Sequence, residues 1–255
     1  MDQPQSIRLN KFLAERLGLS RREADEIISA GKVKIDGQTA QLGVRVDYSS
    51  KVWYNGSIIP FDTDYLYIAF NKPVGYVCSR RAQDSTPTIY DLLPAKYRQL
   101  KTVGRLDKDS SGLILLTNDG DFAYQMTHPK FRKEKIYEVE LDHPLEPLHQ
   151  QMISDYGVML DDGPSKFTVI ASAGGATGGT PAARRRMPRT VGEAAMTGPV
   201  ERLRFTVILS EGRNRQIRRT FAALGYRVTA LHRTQFGPYQ LSGLKPSEYT
   251  TIKKA

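Results

Sequence analysis

The spacing of strand and helix signals after residue 60 limits the possible folds more than any other feature of the sequence. Short apolar runs with strand character recur there, but few segments between them carry the 3.6-residue period of a helix. The strand signals lie at 66–70, 113–117, 136–141, 167–171, 203–209 and 226–231, and the helical patterns near 121–127, 147–156 and 214–224. A doubly wound parallel sheet needs a helix between successive strands. We therefore predict an α+β fold with a mixed or antiparallel sheet and helices on its faces.

The first sixty residues carry the pattern of a smaller unit that starts with two short helices. The apolar side of the first predicted helix, over residues 8–17, consists of Leu9, Phe12, Leu13 and Leu17. Gly18 ends this helix. The second helix begins at S-R-R-E, where the Ser20 hydroxyl can accept from the amide of Glu23 and the Glu23 carboxylate can reach back. This arrangement is a capping box and fixes where the helix starts.

Strand signals follow these two helices. The segment 33–35 alternates apolar and charged residues, and the segment 52–54 is followed by the turn pair Asn-Gly. The sequence P-F-D-T-D at 60–64 has the composition of a hinge. We therefore predict a small α+β domain over residues 1–60 and a larger domain over residues 61–255.

The chain is strongly basic, which favours an anionic partner. It has 255 residues, with 37 Lys or Arg against 27 Asp or Glu, a net charge of +10 and a pI of 9.6. Nucleic acid fits this excess first, and a membrane surface second. No apolar run approaches the roughly 18 residues that a membrane-spanning helix needs.

The cysteine and histidine content excludes other classes of protein. The single cysteine, Cys78, rules out an internal disulfide framework and a multi-cysteine zinc site, and the four histidines are scattered without the spacing of metal ligands. The sequence begins without the basic and apolar regions of a secretory signal. We expect a cytoplasmic monomer that does not bind a membrane.

Residues 172–200 differ from the rest of the chain. The segment contains six glycines, three prolines and the run R-R-R at 184–186, and it shows no hydrophobic period. Its glycines are not followed by the Gly-Lys-Ser/Thr of a phosphate-binding loop. We expect a flexible, basic, solvated insert. A tethered arm that grips RNA is the alternative.

Basic residues surround the predicted helices of the small domain. Arg21 and Arg22 begin the second helix, where cations oppose the helix dipole, so phosphate contact explains them better than a structural role. A solvated charged surface is the alternative. The segments R-L-N-K-F-L-A, S-R-R-E-A and G-K-V-K-I-D-G, in this order over residues 8–37, resemble the S4 RNA-binding domain. The resemblance implies that structured RNA is contacted by Arg8, Lys11, Arg21, Arg22, Lys32 and Lys34.

Two carboxylates stand in an unusual setting before the strand at 113–117. Asp107 and Asp109 belong to the turn cluster G-R-L-D-K-D, with Arg105 and Lys108 beside them. An aspartate in a turn often only caps a backbone amide, and this alternative stays open. A metal site is not favoured, because no set of oxygen ligands follows with the spacing of an EF-hand.

A second constellation, E-G-R-N-R-Q-I-R-R at 211–219, opens the last predicted helix. Arg218 comes three residues after Arg215, so the two side chains are neighbours on the helix. An arginine that turns toward the apolar side needs a carboxylate, because a buried unpaired charge is very costly. Asp107 is the candidate partner.

The ordered motifs resemble the pseudouridine synthases that modify ribosomal RNA. The motifs are N-K-P-x-G (71–75), G-R-L-D followed by S-G-L-x-L-L-T-N-D-G (104–120), K-x-Y (135–137) and E-G-R-N-R-Q-I-R-R (211–219). Together with the S4-like start, the resemblance covers nearly the whole chain. D-D-G-P-S-K-F at 161–167 and the Asn-Arg pair at 214–215 are most similar to the large-subunit enzymes of this group. The insert at 172–200 and Ser247 depart from the pattern.

The resemblance implies an isomerase that breaks the N1–C1′ bond of uridine, turns the base and joins C5 to C1′. Asp107 would be the essential carboxylate, which either attacks C1′ or removes the 2′ proton. Arg218 would pair with Asp107 and keep it ionised. Tyr137 would lie against the flipped base and help to remove the C5 proton. Further RNA contacts are expected at Arg105, Arg213 and Arg215. No cofactor and no metal are expected.

Three other functions stay open at this point. The first is a synthase for small-subunit ribosomal RNA, and the second is a non-catalytic assembly factor that binds ribosomal RNA through the same fold. The intact set of Asp107, Tyr137 and Arg218 argues against the assembly factor. The third, a carboxylate glycosidase, lacks an evident second carboxylate at a defined spacing.

Overall fold

The computed structural model describes residues 6–62, 64–80, 85–171 and 203–255, and the insert predicted at 172–200 lies outside them. The α-helices are α1 (Leu9–Arg16), α2 (Arg21–Ser29), α3 (Gly120–Thr127), α4 (Pro147–Gln151) and α5 (Gln216–Ala223). The first six strands are β1 (Ile7–Arg8), β2 (Val33–Ile35), β3 (Gln38–Thr39), β4 (Arg45–Val46), β5 (Val52–Tyr54) and β6 (Ser57–Ile59). The next six are β7 (Tyr67–Lys72), β8 (Lys101–Val103), β9 (Ser111–Thr117), β10 (Lys135–Leu141), β11 (Val158–Leu160) and β12 (Gly163–Ser165). The last are β13 (Thr168–Ala171), β14 (Arg204–Leu209), β15 (Val228–Phe236), β16 (Tyr239–Gln240) and β17 (Tyr249–Thr251). Within the described ranges, no helix is long and apolar enough to span a bilayer.

The N-terminal residues form a sheet and a core of their own. Ser20 and Glu23 make the predicted capping box, with the Ser20 Oγ accepting from the Glu23 amide at 3.1 Å and the Glu23 carboxylate accepting from the Ser20 amide at 2.7 Å. The four-stranded sheet has the order β3-β2-β5-β6. Its helices and strands bury a separate apolar cluster that includes Phe12, Leu13, Ala24, Ile28, Val33 and Val52. This arrangement fits a small α+β unit, while its boundary at residue 60 stays a prediction.

A nine-stranded mixed sheet dominates the rest of the chain. Its main order is β13-β14-β10-β15-β9-β7-β17, with β16 paired to β15 and β8 paired to β9. The contact between β15 and β9 is parallel, and the other strand pairs described for this sheet are antiparallel. The prediction of a mixed sheet rather than a doubly wound one is confirmed.

Both faces of this sheet are covered, which explains the unbroken apolar run in β9. Leu113 and Leu115 join the cluster under α3, whereas Ile114 and Leu116 join the cluster that includes Phe221 of α5. Because successive side chains of a strand point to opposite faces, a strand buried on both sides has no polar alternation. β9 is therefore an internal strand of the sheet, and the loop that contains Asp107 and Asp109 leads directly into it.

Several boundaries differ from the sequence-based expectation. β15 extends to Phe236, five residues beyond the predicted strand, because it pairs with β10 along its length. The helix predicted at 147–156 is a short α-helix that widens into a π-helical turn at Met152–Tyr156. A single apolar period cannot distinguish these helical forms.

Polar groups join the N-terminal unit to the larger sheet. Lys101 at the start of β8 donates to the carbonyl oxygens of Ala14 at 3.3 Å and Leu19 at 2.7 Å, and Arg80 donates to the carbonyl of Gly18 at 2.8 Å. The last carbonyls of a helix lack partners within the helix, and cations satisfy them well. The loop after α1 is thus capped by residues of the other unit.

The parallel contact makes a specific demand on Gly112, which has a φ of +105°. A Cβ at this position would lie 2.3 Å from the carbonyl oxygen of Arg233. We predict that Gly112→Ala destabilises the fold by about 3 kcal/mol, because backbone strain and steric overlap add. Gly43→Ala is the control, since Gly43 has a φ of +83° but open space around it; it should cost about 1 kcal/mol. Urea unfolding of both variants checks the difference, and equal losses would contradict it.

Candidate active site

A cavity of about 310 Å³ opens where four segments of the larger domain converge. Its lining comes from the loop between β8 and β9, the strands β10 and β15, and the segment that leads into α5. The polar and charged lining includes Arg105, Asp107, Lys135, Tyr137, Arg213, Arg215, Gln216 and Arg233. Asp107 and Tyr137, predicted from separate motifs, thus face the same space.

The loop that carries Asp107 is held by the N-K-P-x-G segment. The ammonium of Lys72, which is fully buried, donates to the carbonyl of Ser110 at 2.6 Å, and the amide of Gly75 donates to the carbonyl of Lys108 at 2.7 Å. Burial lowers the pKa of Lys72. The N-K-P-x-G segment therefore holds the loop that carries Asp107 in place, a role that its sequence did not reveal.

Tyr137 and Arg233 sit opposite each other on adjacent strands. Tyr137 of β10 pairs with Arg233 of β15, directly beside a register shift between Ile136 and Tyr137. Such irregularities re-aim side chains and often lie next to active sites. Both residues are buried, with 8% and 2% of their surfaces exposed, and both line the cavity.

The arginine partners differ from the prediction. Arg218 contacts Asp109 rather than Asp107: its Nε lies 3.3 Å from the Asp109 carboxylate, and its other nitrogens donate to backbone carbonyls. Arg215, predicted as an RNA contact, lies 3.5 Å from the Asp107 carboxylate and binds Asp109 through both nitrogens at 2.8 and 3.0 Å. The reason is that α5 begins at Gln216, so Arg215 precedes the helix and reaches Asp107 from the rim.

The charge distribution at this rim follows from these contacts. The hydrogen bond from Arg215 holds the pKa of Asp109 below its ordinary value. Asp109 is thus a firmly ionised partner that orients both arginines. Asp107 makes the weaker contact and keeps a third of its side chain exposed, at 34%. Of the two carboxylates, Asp107 is the one left accessible from the cavity.

Arg213 also has an internal role in place of a free surface position. Its guanidinium donates to the Asp162 carboxylate at 2.9 Å and to the carbonyls of Gly163 at 3.1 Å and Pro164 at 2.8 Å. The β11–β12 hairpin is therefore fastened to the cavity wall. The prediction of an RNA contact at Arg213 meets a side chain whose two terminal nitrogens already donate within the chain, while Arg105 is exposed at the rim.

A buried polar network ties the same hairpin to α5. Gln216 donates to Ser165 at 3.1 Å, and the Thr220 hydroxyl bonds Ser165 at 2.7 Å. Glu211 accepts a further hydrogen bond from Gln216. Since buried hydroxyl and amide groups must be paired, this network fixes the helix that carries Arg218.

Lys72, Lys135 and Arg233 are site residues that the sequence analysis did not identify. The K-x-Y motif contained Lys135, but nothing in the sequence signalled that its ammonium would face the cavity. Burial first and the charge of Arg233 second lower the pKa of Lys135 to about 8. Arg233 had no local signal at all, because it lies beyond the strand predicted at 226–231, where a single arginine is most simply an exposed one.

The predicted RNA contacts of the N-terminal unit form two groups. Arg8, Lys11 and Arg21 line a second depression of about 420 Å³ together with Arg45, which sequence reasoning missed. Lys11 also bonds the Asp121 carboxylate at 2.5 Å. The remaining predicted contacts are exposed and lie outside this depression: Arg22, Lys32 and Lys34. No group of His, Cys, Asp or Glu among the described residues is arranged to hold a metal ion.

Two family models match the chain. The model described as RNA pseudouridylate synthase matches residues 66–223, and the S4 domain model matches residues 7–58. This chain belongs to the RNA pseudouridylate synthase family. The family match includes Asp107, Tyr137 and Arg218, and the resemblance predicted from the sequence motifs is confirmed.

Similar proteins extend over nearly the full chain. Ribosomal small subunit pseudouridine synthase A of Yersinia pestis is 33% identical over 248 residues, which are 96% of this chain and 94% of the relative. Ribosomal large subunit pseudouridine synthase B of Shigella flexneri is 34% identical over 259 residues, 98% of this chain and 81% of the relative. A crystal structure of a pseudouridylate synthase is 29% identical, covers 97% of this chain and 96% of its own, and superimposes with a TM-score of 0.62. The α+β fold class is confirmed.

The lowered pKa of Lys135 makes stability depend on pH. Between about pH 8 and the ordinary lysine value of 10.5, the unfolded chain binds more protons at this site than the folded chain. Lys135 therefore makes stability rise with pH across this window. We predict that the free energy of unfolding of Lys135→Met rises less with pH than that of the wild type, as measured by urea unfolding from pH 7 to 10. Lys130→Met, at an exposed lysine, is the control and should keep the wild-type slope. A wild-type slope in Lys135→Met would refute the assignment.

Proposed function

We propose that this protein converts uridine to pseudouridine in ribosomal RNA, that of the large subunit, with Asp107 as the essential carboxylate. The observation that carries the proposal is that Asp107 and Tyr137 line one cavity of a chain in the pseudouridine synthase family. Asp107 lies on a braced loop and is accessible, while Asp109 is occupied by two arginines. The names of the relatives supply the class of RNA.

The geometry suggests how the reaction proceeds. A flipped uridine enters the cavity, since a base inside a helix cannot reach a recessed carboxylate. Its ring packs against Tyr137, and C1′ faces Asp107. The N1–C1′ bond breaks with its electron pair on the base, and Asp107 either bonds C1′ or takes the 2′ proton. After the base turns, C5 bonds C1′ while Asp107 leaves C1′ or returns the 2′ proton. C5 then loses its proton and N1 gains one, so that no atom is gained or lost overall.

The arginines at the rim act on the carboxylates rather than on the base. Arg215 reaches both Asp107 and Asp109, and Arg218 fixes Asp109. Asp109 thus serves as a positioning residue that keeps Arg215 beside Asp107. The same arrangement keeps a positive charge next to the Asp107 carboxylate.

Small-subunit ribosomal RNA is the second candidate substrate, because the relative from Yersinia pestis carries that name at similar identity. The large subunit is favoured by D-D-G-P-S-K-F at 161–167, whose Asp162 and Ser165 hold Arg213 and Gln216 at the cavity. Pseudouridine mapping of both ribosomal RNAs, from cells with and without the gene, separates the candidates. A lost pseudouridine in the small subunit alone would overturn the choice, and no lost pseudouridine in either would favour the assembly factor.

We predict that Asp107→Asn lowers the turnover rate by a factor of at least about 10,000, because an amide can neither attack C1′ nor remove the 2′ proton. Asp109→Asn is the matched control. It should reduce the rate by a smaller factor, since it only releases the two arginines. Turnover of a short uridine-containing RNA is measured by nuclease digestion and chromatography of the nucleosides. If both variants lose activity equally, or Asp107→Asn remains active, Asp107 is not the essential acid.

The N-terminal depression generates a second prediction. Arg8, Arg21 and Arg45 are exposed, and none of them forms an ion pair with a described residue. Each phosphate contact contributes about 0.7 to 0.9 to the slope of log K against log salt. The triple change to Ala should therefore lower the slope of RNA binding by about 2 to 3. Arg227→Ala is the control, because this arginine is 80% exposed and lies in the larger domain. An unchanged slope in the triple variant would contradict an RNA-binding depression.

A further inference from the structure

Arg233 is a buried cation without a carboxylate partner. Only 2% of its surface is exposed, and within the described part of the chain it forms no ion pair. Its Nε donates to the carbonyl of Leu113 at 2.8 Å, while the buried Nη2 has no hydrogen-bond partner there. An unpaired buried donor on a charged group is costly, so the arrangement calls for a function.

The backbone holds this guanidinium in one place. The parallel contact packs Gly112 against the backbone of Arg233, and the ring centroids of Phe236 and Tyr137 lie 4.8 and 6.0 Å from the Arg233 Cζ. The aromatic faces compensate part of the charge. They supply no acceptor for Nη2, whose hydrogens therefore remain available to a group in the cavity.

The neighbouring charges leave the inner cavity positive. Lys135 also lines it, with its ammonium donating to the carbonyl of Glu211 at 3.2 Å. Asp107 is the single carboxylate in the lining formed by the described residues. The charge of Glu211 raises the pKa of Lys135 less than burial and the charge of Arg233 lower it. Arg233 forms no ion pair within the described residues, so the inner cavity favours an anion.

The reaction produces an anion at this position. When the N1–C1′ bond breaks, both electrons leave with uracil, and the charge spreads over its carbonyl oxygens. Asp107 acts on the sugar, at C1′ or at the 2′ proton, and its negative charge does not stabilise the uracil anion. A buried cation that is already held in place stabilises developing charge without reorganisation.

We propose that Arg233 stabilises the departing uracil, with Nη2 donating to a carbonyl oxygen of the base while the glycosidic bond breaks. The inference rests on the proposed function. Arg233 forms and breaks no covalent bond: the pair from N1–C1′ rests on the base until C5 attacks C1′. The buried Nη2 without a partner lowers the stability of the folded protein, and the same group stabilises the transition state of the reaction.

The test compares Arg233→Met with Arg233→Lys and the wild type on two RNAs that differ at one base. One carries uridine and the other 5-fluorouridine at the target, because fluorine stabilises the uracil anion and lessens the need for a cation. Single-turnover rates at saturating enzyme are measured as the disappearance of the target nucleoside after digestion and chromatography. Both RNAs share this readout, whereas 5-fluorouridine has no C5 proton to lose and cannot become pseudouridine. RNA affinity and thermal unfolding are measured separately. Arg227→Met, at an exposed arginine that directly precedes the same strand, should behave as wild type.

We expect Arg233→Met to react about 100- to 1,000-fold more slowly on uridine RNA, the usual loss for one electrostatic donor. Its RNA affinity should stay within about threefold. Its unfolding temperature should stay close to that of the wild type, because removal of the buried unpaired charge offsets the lost hydrogen bond to the Leu113 carbonyl. On 5-fluorouridine RNA the deficit should shrink by about tenfold or more. Arg233→Lys keeps the charge and should lose less.

Other outcomes overturn the proposal. Equal deficits of Arg233→Met on both RNAs would mean that Arg233 does not act on the charge of the base. A lowered unfolding temperature, with Arg233→Lys as slow as Arg233→Met, would assign Arg233 a structural role. Asp107→Asn separates this test from the proposed function: it should be equally inactive on both RNAs, and activity in that variant would refute the proposed function instead.

Discussion

The parallel contact between β9 and β15 is the constraint on which the cavity depends. It joins two antiparallel halves of the sheet, and it brings the strand that follows the Asp107 loop next to the strand that carries Arg233. The strands approach so closely that only Gly112 fits. Because the contact fixes register as well as distance, the aspartate loop and the arginine cannot shift relative to each other.

Charge is distributed across the cavity according to depth. At the rim, arginines meet two carboxylates in water-accessible pairs, which are individually worth little but hold orientation. Deeper in, Lys135 and Arg233 are desolvated, and neither forms an ion pair with another described residue. Solvent thus screens the ion pairs at the cavity entrance, whereas the buried cations near the reacting base are screened much less.

Sequence reasoning reached the fold class and the cavity to different extents. The capping box at Ser20, the buried strand β9 and the sheet type followed from local pattern, because capping and period are local properties. The resemblance of the sequence motifs also identified Asp107 and Tyr137 as candidate site residues. The partners of Arg215 and Arg218 did not follow, since a pair separated by about a hundred residues depends on where α5 begins. Arg233 was missed for a related reason: its burial is created by strands β9 and β10, not by its neighbours in sequence.

The place of the insert in the sheet has a consequence for how freely it can vary. Ala171 and Phe205 are paired at the ends of β13 and β14, so the chain is already closed at the base of the insert. Leu209, at the opposite end of β14, lines the cavity about 13 Å away along the strand. A change in the length of the insert therefore meets the sheet at the end of β13 and β14 that lies away from the cavity. The length of β14 separates sequence variation at that end from the reacting groups.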